Sequence, residues 1–167
     1  MLELKKQVIH AFITSKLDYC NSLFYGLPSS LLGRLQGIQN VAARILTGSK
    51  KFDHITPVLR SLHWLPVEQR IKFKMLLLVY KSINSMAPSY LQDLFKPYVP
   101  CRTLRSSQLC LLNVPFTKSQ VKHNRAISVA GLMLRNSLPS DLRVISSLDE
   151  FKRKLKTHLF MEYFNSN

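Results

Sequence analysis

The sequence from residue 66 to residue 84 reads PVEQRIKFKMLLLVYKSIN, and its pattern decides the fold. Pro66 suits the first position of a helix, where its missing amide hydrogen costs nothing. Apolar residues then cover one face at helical spacing and fill much of the remaining circumference: Ile71, Met75, Leu78 and Val79, joined by Phe73, Leu76, Leu77 and Tyr80. The stretch therefore predicts a long central helix that reaches to about Asn84.

Two helices are predicted before this central helix. The first spans Leu2 to Phe24, and helical spacing places on one of its faces Leu4, Val8, Ala11, Phe12, Ser15 and Tyr19. The second begins at a capping serine, Ser29 or Ser30, and ends at Gly48. Its apolar residues form a stripe with alternating spacings of four and three: Leu31, Leu35, Ile38, Ala42 and Ile45.

Shorter helices are predicted around the central one, at residues 56–62, 88–95 and 127–136. A last helix opens at a capping box, Ser147 to Glu150, and directs inward Leu148, Phe151, Leu155 and Leu159. Residues 96–126 are rich in proline and basic residues, which indicates a connecting region with a short strand or hairpin at 109–114. The fold class expected is mainly α, an irregular helical bundle with a loop-rich basic middle segment and room for one short β-hairpin.

Composition indicates the kind of partner. The chain has 167 residues, 46% of them apolar, with 24 Lys and Arg against 9 Asp and Glu. A sequence pI of about 10.1 is typical of nucleic-acid-binding proteins, so RNA or DNA is the expected partner. Two alternatives are an anionic membrane surface and a basic chain with no specific partner.

The sequence also bears on the compartment. The longest apolar run, Met75 to Tyr80, is too short to cross a membrane, and no membrane partner is expected. Residues 1–7 lack the pattern of a secretory signal, so an intracellular location, nuclear or cytoplasmic, is expected. The three cysteines, Cys20, Cys101 and Cys110, are an odd number, which indicates reduced thiols.

The spacing of potential metal ligands and catalytic groups favours no enzyme. Cys101, Cys110 and His123 are spaced too widely for a zinc site. His54 and His63 have no nucleophile at a recognisable spacing, which favours a packing or capping role. No cofactor is therefore expected.

The basic residues remain as candidates for function. Three of them have an acidic residue four positions earlier, in Glu68–Lys72, Asp149–Arg153 and Glu150–Lys154. The candidates for nucleic-acid binding are the other basic residues on the second helix, the central helix and the middle segment: Arg34, Arg44, Lys50, Lys51, Arg70, Lys74, Lys81, Arg102, Arg105, Lys118 and Arg125. The competing interpretation is that these are the solvated faces of core helices.

Three aromatic residues lie near basic ones and are candidates for base stacking, namely Trp64, Tyr98 and Phe116. For Trp64, core packing is the favoured interpretation because Leu62 and Leu65 flank it.

A series of short motifs also has a recognisable order. It comprises residues 17–22 (LDYCNS), 25–28 (YGLP), 43–48 (ARILTG), 62–66 (LHWLP), 87–91 (APSYL), 104–107 (LRSS), 125–130 (RAISVA) and 136–139 (NSLP). In this order they resemble the C-terminal part of the reverse transcriptase of jockey-like non-LTR retrotransposons. The clearest departure is at residues 131–136, which read GLMLRN where that family usually has Ala-Pro-Lys-Leu-Trp-Asn.

The resemblance implies a division of the chain. Residues 1–50 would be a thumb-like helical hairpin, 51–96 the central helices, 97–125 a basic linker or hairpin and 126–167 the C-terminal helices, packed as one domain. Reverse transcriptases hold two metal ions between paired carboxylates, whereas the aspartates here are all isolated: Asp18, Asp53, Asp93, Asp141 and Asp149. The chain is therefore expected to lack polymerase activity.

Two functions are compatible with these observations. The first is a non-catalytic module that binds an RNA or DNA backbone without sequence specificity, next to the polymerase body of the parent element. The second is a structural or protein-interaction fragment with no independent activity, as in a truncated copy, whose stripe on the second helix drives self-association. A start at Met1 directly before the thumb-like region fits a 5′-truncated copy or a gene-model fragment.

Overall fold

The computed structural model describes residues 2–98, 110–116, 118 and 125–165. The chain is mainly helical, as predicted, and within these ranges it forms no β-strand. The helices are α1 (Leu2–Ile9), α2 (Ser15–Asp18), α3 (Ser29–Thr47), α4 (Ile55–Ser61), α5 (Val67–Ile83), α6 (Ser89–Gln92), α7 (Leu132–Ser137), α8 (Ser140–Arg143) and α9 (Leu148–Asn165). Two π-helical turns, His10–Thr14 and Ile127–Gly131, and a 3-10 turn, Asn21–Phe24, complete the list.

The chain forms two compact units. The first contains Met1–Ile71 and Leu159–Asn167, and the second contains Lys72–His158. Helices α5 and α9 each contribute residues to both units. The division into four segments made from the sequence stays a prediction.

The first helix is interrupted, contrary to the single helix expected over residues 2–24. A π turn separates α1 from α2, and Cys20 has a left-handed backbone with φ 48°. The face predicted from its spacing is solvent-exposed, with Leu4, Phe12 and Tyr19 between 65% and 76% exposed. Ile9 packs instead against α3. A π turn has more residues per turn than an α-helix, so a 3.6-residue spacing cannot assign one face across it.

Helix α3 ends as predicted but buries a different face. Gly48 has φ 70° and donates its N–H to the Arg44 carbonyl at 2.8 Å, the left-handed stop expected from a glycine. At the other end Pro28 precedes the helix, and no serine side chain caps it. Of the predicted stripe only Ala42 is buried, and it lies among Gln39, Ala43 and Leu46. Small residues there allow close packing of neighbouring elements.

Amide side chains of α3 support the start of α5. Gln36 Oε1 accepts the Val67 N–H at 2.8 Å, and Gln39 Nε2 donates to the Leu65 carbonyl at 2.9 Å. A helix start leaves backbone N–H groups without intrahelical partners, and Gln36 satisfies one of them. Pro66 lies between the two bonded residues and directly precedes the helix, which begins at Val67, one residue after the predicted start. The Pro66 carbonyl accepts the Arg70 N–H at 2.9 Å.

The second unit is centred on the later part of α5. Val79 packs with Phe95, Leu112 and Leu132 in one buried cluster. Tyr80 stacks on Phe151 with ring centroids 4.1 Å apart. These contacts confirm the predicted core role of the central helix and, with Leu155 and Leu159 also buried, most of the inward face predicted for α9.

An antiparallel bridge stands where a strand or hairpin was predicted. Pro97 pairs with Leu112, and the Tyr98 N–H donates to the Leu111 carbonyl at 3.0 Å. The Asn136 side chain then binds both backbone groups of Leu112, at 2.9 Å each. These two hydrogen bonds fix the segment to α7, because they satisfy the amide N–H and the carbonyl of Leu112 together.

The helices over the described ranges are also informative about membranes. None of them combines the length and the apolar character needed to cross a bilayer.

Two glycines inside α3 give a test of local helix energetics. A Cβ added at Gly33 or Gly37 would meet no atom within 4 Å. Since glycine costs helix interiors about 0.5–1 kcal/mol relative to alanine, Gly33→Ala and Gly37→Ala should each raise the free energy of unfolding by that amount, measured by urea denaturation.

Two other glycines serve as controls for this prediction. Gly131→Ala should destabilise the chain because the new Cβ would lie 2.9 Å from Val79 Cγ2, and Gly48→Ala should do so because φ is positive. A loss of stability on Gly33→Ala would contradict the prediction.

Candidate nucleic-acid interface

The loop after α3, residues 49–54, is here named the basic turn. It begins where Gly48 ends the helix, and the Thr47 and Ser49 hydroxyls lie 2.7 Å apart. Lys50 and Asp53 are joined twice: the Lys50 N–H donates to Asp53 Oδ2 at 2.7 Å, and the Asp53 N–H donates to the Lys50 carbonyl at 3.2 Å. These bonds fix the backbone between the two residues in one tight turn.

Arg44 holds the basic turn from the last turn of α3. Its Nη2 donates to the Asp53 carbonyl at 3.1 Å, and its side chain is half-buried. The guanidinium acts as a brace, because one of its N–H groups connects the last turn of α3 to the backbone of the basic turn. Arg44 is therefore engaged within the fold, whereas the sequence indicated an unpaired residue.

The tip of the basic turn is exposed. Phe52 is 91% exposed, and Lys51 Nζ lies 6.0 Å from the centre of its ring. The Lys50 and Lys51 side chains are also exposed. An uncovered aromatic ring beside two ammonium groups offers a stacking surface for a base and charges for the neighbouring phosphates.

Sequence reasoning identified Lys50 and Lys51 but missed Phe52. The available signal was the tripeptide Lys50-Lys51-Phe52 two residues after the helix-ending Gly48, which places an aromatic residue in a loop.

Arg70 was predicted to be an unpaired cation, and this interpretation is wrong. Its Nη1 binds both carboxylate oxygens of Asp18, at 2.9 and 2.8 Å, and its Nε donates to the Leu65 carbonyl at 3.0 Å. Its side chain is only 16% exposed. The pairing was invisible in the sequence because the two residues lie 52 positions apart. Asp18 and Arg70 thus belong to the scaffold of the first unit.

The other candidate cations occupy different surroundings. Arg34 is exposed on α3 among apolar residues. In the second unit Lys74, Lys118 and Arg125 are exposed and Lys81 is half-buried. Arg102 and Arg105 lie outside the described residues.

The aromatic candidates divide in the same way. Trp64 packs against two buried clusters of the first unit, so the core interpretation is confirmed. Tyr98 is 43% exposed and Phe116 is 88% exposed, with the exposed Lys118 two residues further on. Phe116 and Lys118 repeat the chemistry of the basic turn, and both belong to the second unit.

Acidic residues pair partly as predicted. Lys154 lies 2.8 Å from Glu150, and this contact lowers the pKa of the glutamate. Asp149 pairs with Lys152 at 3.1 Å, and the predicted partner Arg153 is exposed. Residues three apart on a helix are as close as residues four apart, so spacing alone could not choose between them.

The remaining potential ligands and thiols have different surroundings. His54 is exposed and makes no capping hydrogen bond at the start of α4, so the packing or capping role predicted for it is not observed. Within the described ranges no group of three or more His, Cys, Asp and Glu side chains could hold a metal ion. Cys20 and Cys110 are exposed and form no disulfide within the described residues, while Cys101 and His123 lie outside the described residues. His63 stacks on Phe160 with centroids 5.8 Å apart, in agreement with the packing role predicted for it.

Arg135 occupies a buried position in the second unit, where the resembled family usually has tryptophan. The residue is 5% exposed, and its Nη2 donates to the Arg143 carbonyl. Its Nε and Nη1 have no hydrogen-bond partner among the residues that the structure describes. Burial, followed by the charge of Arg143, lowers the pKa of Arg135 to about 10. A buried cation without a counter-charge is a cost to stability.

The Asp18–Arg70 pair gives a test of the scaffold role. Asp18→Asn should lower the free energy of unfolding by about 1–3 kcal/mol, because it leaves a mostly buried guanidinium without a counter-charge. Urea denaturation measures the change. The control is Glu3→Gln, which removes the exposed Glu3–Lys6 pair and should cost at most about 0.5 kcal/mol. Equal effects of the two variants would assign Asp18 to the solvated surface.

Arg135 gives a test in the opposite direction. Arg135→Met should stabilise the chain by roughly 1 kcal/mol, since a flexible apolar side chain replaces a buried charge. The exposed control Arg153→Met should have little effect. The pKa of Arg135 is lower in the folded chain than its ordinary value. The loss of folding stability caused by its buried charge therefore has its full size below about pH 10 and decreases as the pH rises further. The difference in the free energy of unfolding between Arg135→Met and the parent chain should therefore become smaller above pH 10. A lower free energy of unfolding for Arg135→Met than for the parent chain at pH 7 would contradict the interpretation.

Comparison of the chain with protein-family models found no match, and comparisons with curated proteins and with solved structures found none either. The resemblance to a retrotransposon reverse transcriptase therefore rests on the sequence motifs, and the case for a function rests on the exposed and braced side chains of the basic turn.

Proposed function

We propose that the chain is a non-catalytic nucleic-acid-binding module that holds single-stranded RNA or DNA without sequence specificity. The observation that carries this proposal is the basic turn, in which Phe52 is 91% exposed beside Lys50 and Lys51 on a backbone braced by Arg44 and Asp53. The supporting feature is the combination, because an exposed aromatic face beside two ammonium groups can stack on an unpaired base while the lysines contact the neighbouring phosphates.

The charge of the whole chain supports the same proposal. A net charge of +15 attracts a polyanion from any direction and raises the rate of encounter. The basic turn would then add local contacts, two lysines for phosphates and one ring for a base. Contacts to phosphates carry no sequence information, so binding should depend on salt far more than on sequence.

The motif resemblance suggests the setting. A thumb and C-terminal extension of a retrotransposon reverse transcriptase would grip the template or the target beside the polymerase body, and the chain itself would supply no catalytic carboxylate pair. The alternative, a structural or protein-interaction fragment without independent activity, predicts no binding to nucleic acid at low salt.

The salt dependence of binding tests the role of the two lysines. Fluorescence anisotropy with labelled single-stranded RNA of about 20 nucleotides, across a potassium chloride series, gives the slope of log affinity against log salt. Lys50→Gln with Lys51→Gln should lower this slope by about 1.4, at about 0.7 for each lost phosphate contact. Arg153→Gln with Lys156→Gln removes the same charge from exposed positions of α9 and is the matched control.

The aromatic ring is tested with the same assay. Phe52→Ala should weaken binding to the single strand by about 1–3 kcal/mol and leave binding to a duplex nearly unchanged, because only unpaired bases expose a face for stacking. An equal loss of affinity for the single strand and for the duplex would contradict a stacking role for Phe52. If the control pair lowers the slope as much as the Lys50 and Lys51 pair, binding is spread over the whole charged surface.

A further inference from the structure

Helix α3 carries an exposed apolar seam, defined here as Leu31, Arg34, Ile38, Val41 and Ile45. The four apolar members are between 43% and 56% exposed. With Arg34, the five seam positions are separated by intervals of three and four residues over two heptads, the spacing at which one helix packs along another. The buried face of α3 is a different one, formed by Gln39, Ala42, Ala43 and Leu46. The seam is therefore a second apolar face on the same helix.

The surroundings of the seam leave room for a close approach. Gly37 lies one turn before Val41, and a Cβ at Gly37 or at Gly33 would meet no atom within 4 Å. Two glycines in a helix interior cost stability, and no internal contact of the first unit requires them. An exposed backbone next to large apolar side chains lets a second helix come closer than a surface of larger residues would.

The charges around the seam select the partner. Residues 29–47 contain no acidic residue, and Arg34 occupies one of the five seam positions. A second copy of the chain would bring the same apolar seam together with the same positive charge, which opposes pairing. A helix with glutamate or aspartate beside its apolar stripe would instead place a carboxylate opposite Arg34.

We propose that the seam of α3 is a docking site for an amphipathic helix of a partner protein, with an apolar stripe flanked by acidic residues. Leu31, Ile38, Val41 and Ile45 supply the apolar contact, and Arg34 sets the register by pairing with an acidic side chain. This binding site is distinct in its residues from the basic turn, and it does not depend on nucleic-acid binding.

The test uses two synthetic probes and the full chain. One probe is a labelled amphipathic peptide of about four heptads with Leu at the core positions and Glu flanking them, which keeps the peptide from pairing with itself. The other has Lys in place of Glu. Anisotropy at physiological salt should show binding of the Glu peptide at least about tenfold tighter than binding of the Lys peptide.

Substitutions in the seam separate docking from simple charge attraction. Ile38→Ser with Ile45→Ser should weaken binding of the Glu peptide at least about tenfold, since each buried isoleucine contributes substantially to such an interface. Leu94→Ser with Val144→Ser removes two exposed aliphatic side chains of the second unit and should change nothing. Arg34→Glu should reverse the preference between the two probes. All substituted residues are exposed, so an unchanged circular dichroism melting curve is expected for each variant.

Three outcomes would overturn the proposal. The first is equal binding of the Glu peptide by the seam variant and the parent chain. The second is a loss of peptide binding in Lys50→Gln with Lys51→Gln as large as the loss in the seam variant, which would place the peptide on the basic turn. The third is a concentration-dependent dimer, detected by analytical ultracentrifugation, that the seam substitutions dissolve, since a second copy would then be the occupant.

Discussion

The first unit depends on satisfying the backbone between α4 and α5. The Leu65 carbonyl accepts from both Gln39 and Arg70, and the Val67 N–H is taken by Gln36. Buried backbone groups without partners would each cost free energy comparable to a lost hydrogen bond. Asp18 completes the arrangement by neutralising Arg70. Four side chains from three separate parts of the sequence thereby fix the point at which the central helix begins.

This arrangement also explains why the positive charge is unevenly available. In the first unit the guanidinium groups of Arg70 and Arg44 donate hydrogen bonds to backbone carbonyls. Arginine suits such positions because its planar group donates several bonds in fixed directions. Lysine has one flexible charged end, and Lys50 and Lys51 remain on the surface. Among these four residues the two arginines are structural and the two lysines are available for binding, so net charge alone overstates the binding surface.

Several sequence predictions held because they rest on local physics. Gly48 ends α3 because only a residue without a Cβ adopts φ 70° at low cost. Phe151 and Leu155 are buried because their spacing matches an α-helix without interruption. Most of the predictions that failed concern contacts with residues distant in the sequence. The spacing in the first helix predicted one face, but the π turn at residues 10–14 breaks that spacing, and α3 packs against Ile9, which is not a member of the predicted face. Phe52 was missed because a loop has no periodicity from which exposure can be read.

The sequence by itself determined the helical class, the central position of residues 66–84 and the strongly basic surface, because helix propensity, apolar periodicity and charge are properties of short segments. The tertiary structure alone decided which face of each N-terminal helix is buried, that Arg70 meets Asp18, and that Phe52 and the seam of α3 remain exposed. Those outcomes depend on which distant segments come together. The contact between Asp18 and Arg70 joins residues 52 positions apart, so the sequence around either residue does not indicate it.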